Sequence, residues 1–452
     1  MVKSVTPSFV CEFEVRATSQ DRSVLRSRLE AGRQLYNAIL GEALRRLARM
    51  RKDPAFEIAK ALPRGSSNKD ATPLQKAQAK ARKEAFAALR ETHGFREFDL
   101  HKHPSLAKTC WLRGHLDVNT QQKVATRAFK AAERWSFGQG GRPRFKRYGE
   151  LESLEGKDNS MGIRFREDRI LWFGAFGKLD LPLLPIPGDE VQGHALEIAR
   201  EDGVKYSRIL LRTIRGRERA FVQLVLEGQP LRKAQHVVVP GRVGLDLGPS
   251  QVAVVAPGEV RTIPFCPGLD RKESARRRYL RRLDRQRRAN NPENYREDGT
   301  VLPRSQRKPW NASRAQMVTR AALAEVLRAM AAQRKSLQGE LAHQILALGN
   351  QVVTEKVDKR SWAKLWGRSV GHKAPGMLEA RLKVLAEASG GSLEQVSTRE
   401  TYLSSRCLCG LRRKKPLSER KHICGCTFVP EGTEVDRDEF SAFLAMHCQG
   451  GL

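Results

Sequence analysis

Apolar and polar residues alternate from Phe9 to Ala17 (FVCEFEVRA), the period of a half-buried strand. The period then lengthens. Leu25, Leu29, Tyr36, Leu40, Leu44 and Leu47 recur at helical spacing, with Thr18 or Ser19 placed to cap the helix and Pro54 beyond its end. Residues 74–134 repeat the helical pattern, interrupted from His93 to Leu106. Residues 19–135 are therefore expected to be mainly helical. The stretch from Phe137 to Arg147 (FGQGGRPRFKR) is too rich in Gly and Arg for a long helix. Short strand-like runs follow at Gly162–Arg166, Ile170–Phe173 and Ser207–Leu226, the last divided into a hairpin by Arg215-Gly216-Arg217. The simplest architecture is an all-β module from about 136 to 238, joined by the strand at 9–17.

Beyond Arg242 the pattern changes again. VGLDLG and QVAVVAP are short apolar strands around a turn at Gly248-Pro249. An Arg-dense helix spans Arg271–Arg288, and a polar, Pro-containing loop runs from Asn290 to Pro309. Met317–Leu348 reads as a long helix capped by Gly349-Asn350. QVVTEKV is a strand, Met377–Ala388 a helix, and Ser392–Val396 a strand after Gly390-Gly391. The order strand, hairpin, helix, strand, helix, strand implies an α/β domain with helical insertions. The fold class is thus multidomain, α+β in the first half and α/β in the second.

Charge narrows the function. The 452 residues carry 83 Lys plus Arg against 50 Asp plus Glu, a net charge of +33. Such an excess repels itself in the folded state and is relieved by a polyanion that releases its counterions on binding. A hydrophobic content of 40% supports packed cores and excludes a disordered basic tail. No apolar run resembles a signal peptide or approaches a membrane span. A reducing, cytoplasmic location is the expectation, where cysteines are thiols or metal ligands. Cys11, Cys110, Cys266 and Cys448 are scattered and read as inert thiols.

Three carboxylates stand out. Asp246 interrupts the apolar strand Val243-Leu245-Leu247, where a charge is costly unless paired or bound to metal. Glu355 ends the strand after Val352 and Val353. Asp436 and Asp438 precede the apolar helix Phe440–Met446. Taken singly, a helix-start Asp is commonly a cap, and Glu355 beside Lys356 fits a surface pair. Taken together in a basic chain, they fit phosphodiester hydrolysis. That reaction needs an activated water and a stabilised leaving oxygen, which two Mg²⁺ ions held by hard oxygen ligands supply.

Cys407-Leu-Cys409 and Cys424-Gly-Cys426 form two close pairs, the ligand set of a closed tetrahedral Zn²⁺ site, with His422 an alternative ligand and redox chemistry the bland reading. Arg412, Arg413, Lys414, Lys415, Arg420 and Lys421 lie between the pairs. The helix at 271–288 carries Arg276, Arg277, Arg278, Arg281, Arg282 and Arg285 against only Glu273 and Asp284. It is either a solvated face or a track for a nucleic-acid backbone, and the imbalance favours the track.

Several motifs, in order, resemble the transposon-encoded TnpB proteins and the related compact type V CRISPR effector nucleases. They are Gly141-Arg-Pro-Arg-Phe-Lys146, Val243-Gly-Leu-Asp246-Leu-Gly248, Val353-Thr-Glu355, Leu403-Ser-Ser-Arg-Cys407-Leu-Cys409-Gly410, Leu417-Ser-Glu-Arg420 and Asp436-Arg-Asp438. The resemblance implies an RNA-guided DNA endonuclease with Asp246, Glu355 and Asp438 as its catalytic, Mg²⁺-holding carboxylates. Asp438 is chosen over Asp436 because the family places its last Asp directly before the terminal helix. The resemblance further implies a wedge β-barrel from 1–18 with 136–240 and a helical recognition lobe at 19–135. An RNase H-like RuvC domain would occupy 241–399, with a basic helical insertion at 266–348. A zinc-bearing insert at 400–430 and a final RuvC helix at 431–452 complete the chain. Its partners would be a guide RNA and target double-stranded DNA with a short flanking motif. Backbone contacts would come from Arg142, Arg144, Lys146, Arg276, Arg277, Arg281, Arg282, Arg285, Arg412, Arg413 and Arg420. Two positions depart from the family: Phe440 stands where Asn is usual, and the knuckles are C-x-C rather than C-x-x-C. An RNA-guided repressor that does not cut, and a guide-independent transposon-associated DNA-binding protein, are the alternatives.

Overall fold

A computed structural model describes residues 7–68, 70–103, 111–414, 416 and 418–448. Cys110, Lys415 and Leu417 lie outside the described residues. The chain divides into two compact units, 1–233 and 234–452.

In the first unit, β1 (Ser8–Val15) leads into α1 (Ser19–Lys52). Thr18 and Asp21 close a capping box: the Thr18 hydroxyl accepts the Asp21 N–H, and the Asp21 carboxylate accepts the Thr18 N–H. Then come α2 (Pro54–Ala61), α3 (Pro73–Thr92), the single turns α4 (Glu97–Leu100) and α5 (Leu112–His115), and α6 (Val118–Ser136). α6 buries Val124, Ala125, Ala128, Phe129 and Ala132, the i, i+4 stripe its sequence predicts, and packs against α1. The remaining elements are β2 (Ser153–Glu155), β3 (Arg164–Arg166), β4 (Arg169–Gly174), β5 (Gly177–Leu184), α7 (Glu190–Arg200), β6 (Val204–Ile214) and β7 (Arg217–Glu227).

The seven strands form one antiparallel sheet, ordered β2-β6-β7-β1-β5-β4-β3. β1 pairs with β7 over its whole length and with β5 at its end, so the N-terminal strand joins the later module as the alternation predicts. β3, at one edge, also approaches β6 near the other, so the sheet curls toward a barrel. The module is not all β, however. α7 is a helix capped by Asp189 that buries Ala195, Leu196 and Ala199. Its three turns carry a real helical stripe, but few large apolar residues mark it.

The second unit begins with β8 (Arg242–Leu247), β9 (Gln251–Ala256) and β10 (Glu259–Pro264), then α8 (Leu269–Asn290) and α9 (Arg314–Leu346). There follow β11 (Gln351–Glu355), α10 (Lys359–Lys373), α11 (Pro375–Glu387), β12 (Ser392–Val396) and the short α12 (Thr398–Thr401). β13 (Lys421–His422), β14 (Val435–Asp436) and α13 (Arg437–His447) close the chain. The main sheet runs β10-β9-β8-β11-β12. β8, β9 and β10 form an antiparallel meander, and β11 lies parallel to both β8 and β12.

Both faces of this sheet are covered. Val243, Leu245, Leu247 and Val352 pack with Leu341, Ile345 and Leu382 of α9 and α11. On the other face Val353 packs with Phe440, Leu444 and Ala445 of α13, and Ala253 with Ala442 and Met446. The end of α9 corrects the expected glycine cap. The helix stops at Leu346, with Ala347 as its cap in right-handed geometry. Gly349 serves close packing instead, since a Cβ there would stand 2.6 Å from a Val243 methyl and 2.7 Å from the Gly241 carbonyl oxygen.

Candidate active site and metal centre

β8 and β11 run side by side in one direction, with Leu245 opposite Thr354. One further step in the same register sets Asp246 beside Glu355, at the carboxyl ends of neighbouring parallel strands. Side chains alternate along a strand, so both carboxylates share the sheet face that α13 covers. The approach of α13 depends on Gly244, two residues before Asp246. A Cβ there would stand 1.9 Å from the Ala442 carbonyl oxygen and 2.6 Å from the Met446 nitrogen. The helix backbone thus lies directly on the strand, and its first turn is brought toward Asp246.

The two aspartates before α13 divide the work. Asp436 is the N-cap, its Oδ1 accepting the N–H groups of Asp438 (2.8 Å) and Glu439 (3.0 Å). Asp438, in the first turn, is left to face the strand carboxylates. Gln251 Nε2 donates to its Oδ2 at 3.3 Å. Arg437 donates to its Oδ1 from Nε (3.2 Å) and from a terminal nitrogen (3.0 Å), and Arg420 approaches Oδ2 at 3.2 Å. Arg437 is almost fully buried and donates on to the Glu419 carbonyl at 3.0 Å. It therefore clips the segment before β13 to the start of α13. The contacts of Gln251 and Arg437 escape a reading by residue type. The only local hints are an amide heading an apolar strand and a cation between two aspartates.

The carboxylates act on one another electrostatically. Burial, followed by the negative charges of Asp438 and Glu355, pushes the Asp246 carboxyl up to about 8. Burial also raises Glu355, opposed by the Leu403 N–H that it accepts at 3.2 Å. As a set the three are more loosely spaced than the cysteine thiols, which alone among the described residues gather within 4.8 Å of one another. Hard oxygen donors around an unbalanced negative charge fit a divalent cation.

The four cysteines form a second centre. Cys407 and Cys426 sulfurs are 3.6 Å apart, as are those of Cys409 and Cys424. A tetrahedral zinc with Zn–S bonds of about 2.3 Å sets its sulfurs about 3.8 Å apart, so the four thiols can hold one metal ion. Crowding by Cys409 and burial push the Cys424 thiol up to about 12, as expected where thiolates would repel one another at close range. His422 is not in the cluster. It is buried and stacks on Phe440, ring centroids 4.0 Å apart and planes at 19°. Phe440 thus carries packing between α13 and β13.

The predicted backbone-contact residues fall into two groups. Arg281, Arg282 and Arg285 are exposed on α8 with no ion pair among the described residues, and Arg278 extends their stripe by one turn. Arg277 is half-buried, Arg144 is exposed, and Arg142 lies over the Trp135 ring. The others have protein partners. Arg276 pairs with buried Glu273 at 2.6 Å, Arg413 pairs with Glu419, and Arg420 contacts Asp438. Arg412 lies 3.3 Å over the Tyr402 ring, and the Lys146 ammonium 5.5 Å over that of Tyr36. Cys11 and Cys266 are buried free thiols, and Cys448 is half-buried.

No helix among the described residues is long and apolar enough to cross a membrane. No protein-family model matches the chain, and no curated protein matches it. Among solved structures, the chain is similar to that of a cryo-EM Cas12f1-sgRNA-target DNA complex, with 10% identity, TM-score 0.46, and 98% and 99% of the two chains covered. It is also similar to that of a cryo-EM CRISPR-Cas12f ternary complex, with 13% identity, TM-score 0.32, and 97% and 99% covered.

Proposed function

We propose that this chain is an RNA-guided DNA endonuclease, hydrolysing phosphodiesters at Asp246, Glu355 and Asp438. The observation that carries this is the convergence of the three carboxylates at the ends of β8 and β11 and the start of α13. A buried acid with so perturbed a pKa beside further carboxylates is a functional arrangement more than a structural one. The mixed five-stranded sheet supports the RNase H-like reading of 241–452. Two Mg²⁺ ions held by these carboxylates would supply Lewis-acid stabilisation and an activated water at neutral pH. Arg437 and Gln251 orient Asp438, while the Arg281–Arg285 stripe offers phosphate contacts that position a duplex without reading its sequence. Specificity would then come from pairing with the guide.

Asp246→Ala is expected to abolish guide-directed plasmid cleavage while target binding persists. Undiminished cutting would refute the assignment. If the unaltered protein binds its target but cuts nothing in Mg²⁺ or Mn²⁺, the repressor reading replaces it. Sequencing the RNA that co-purifies tests the guide itself, and a protein with no specific RNA is guide-independent.

The cysteine centre is proposed to hold one structural Zn²⁺. Metal analysis should find about one zinc per chain, the stoichiometry of a closed four-thiolate site. Cys409→Ser should lose the metal and expose 400–430 to proteolysis. Zinc-free native protein would end the claim.

A further inference from the structure

The helical part of the first unit encloses a cavity of about 1020 Å³ that none of the nuclease chemistry uses. Its lining combines aromatic rings with cations. Phe56 and Phe86 meet edge to face, centroids 5.7 Å apart, and Phe137 is 56% exposed. Guanidinium groups already lie over the rings, Arg82 at 5.3 Å from Phe86 and Arg90 at 4.7 Å from Phe137. Both are held in place. Arg82 donates to the Lys60 carbonyl at 2.7 Å and also to that of Leu62, and Arg90 contacts Glu133 at 3.4 Å. The flat surfaces are therefore preorganised.

The charge around them is not balanced. Arg51, Arg64 and Lys83 also line the cavity and are exposed, with no ion pair among the described residues. The one carboxylate in the lining, Glu57, is paired with Lys60 at 3.1 Å. Un-neutralised cations around aromatic faces match an unpaired nucleotide, whose base stacks and whose phosphates need counter-charge. A duplex fits poorly, because its bases face one another and offer the rings nothing to stack on. An apolar peptide would leave the cations unanswered.

We propose that this cavity binds single-stranded nucleic acid, with an unpaired base against the Phe86–Phe137 wall and flanking phosphates on Arg51, Arg64 and Lys83. The site needs neither the carboxylates nor cleavage, so it stands apart from the nuclease reading. The test is fluorescence anisotropy on the full-length protein without divalent cations. The probes are oligouridylate and oligothymidylate of about 12 nucleotides, a usual site size, and a duplex of equal length.

Phe137→Ala should weaken single-strand binding roughly 5- to 150-fold, the equivalent of losing one stacked base. Lys83→Ala should reduce the salt slope by about 0.7, one phosphate contact on a single strand. Phe98→Ala, a 75% exposed ring outside the cavity, should change neither. Preference for oligouridylate identifies the ligand as RNA and preference for oligothymidylate as DNA, and either supports the site. Asp246→Ala should bind single strands normally even if the nuclease assignment fails. Wild-type affinity in Phe137→Ala overturns the proposal. So does an equal loss of duplex binding, or sedimentation showing that Phe137→Ala splits a dimer, which would make the cavity an interface between copies.

Discussion

Asp246→Asn is expected to stabilise the metal-free protein while eliminating cleavage. The unfolded chain releases the Asp246 proton near its ordinary value of 3.8, whereas the folded chain retains it up to about 8. Between those values the folded state binds more protons, so stability falls as pH rises through this window. Below pH 4 the penalty is absent, and above pH 8 it is complete. At neutral pH it is of the order of a few kcal/mol, since each tenfold change in proton affinity is worth about 1.4 kcal/mol. Asparagine keeps the shape and removes the charge. In chelator at pH 7.5 the variant should melt above the native protein, and at pH 4 the two should coincide. Mg²⁺ should raise the native melting temperature by mass action and leave that of Asp246→Asn almost unmoved. A variant that melts at or below the native protein at pH 7.5 would show that Asp246 is a satisfied structural acid.

Gly244→Ala should disable the same site without touching a carboxylate. The added methyl would stand 1.9 Å from the Ala442 carbonyl oxygen, and backbone cannot swing aside as a long side chain can. α13 must therefore move off β8, carrying Asp438 with it. Overpacking of this kind costs about 1–3 kcal/mol or more, and misplacing a reacting group by about 1 Å can cost roughly 100-fold in rate. Cleavage should fall by at least that factor, with melting several degrees lower and helix content preserved. Gly140, where a Cβ meets nothing within 4 Å, is the matched control. Native activity in Gly244→Ala would mean that α13 docking does not set the site.

Most regular elements were legible because their patterns are local. The alternation of β1, the stripe of α1 and its Thr18 cap, the apolar runs of β8, β9 and β11, and the Arg-dense α8 all lie near where periodicity puts them. Four elements escaped for identifiable reasons. β5 carries Pro182 among its apolar residues, β10 presents only Val260 and Ile263 beside polar neighbours, and α7 and α10 bury little. Hydrophobic period detects burial, and these elements offer few large buried side chains for it to detect.

For the site, the sequence by itself determined the residue types: a charge inside an apolar strand, acids at a strand end and a helix start, and two cysteine pairs. Their cost out of context is what made them visible. Which acid does what was decided in three dimensions. Asp436 caps α13 and Asp438 meets the strand carboxylates because the helix start fixes one side chain back onto its own N–H groups. Arg420, read from the chain as a nucleic-acid contact, stands beside Asp438, and Arg437 holds that acid while tying the segment before β13 to the helix. Such assignments depend on residues far apart in sequence, and chain order records a side chain's chemistry but not its neighbours. The same holds for the opening charge of +33. Composition establishes its size, while only tertiary structure separates the arginines spent on internal partners from those left exposed for phosphate.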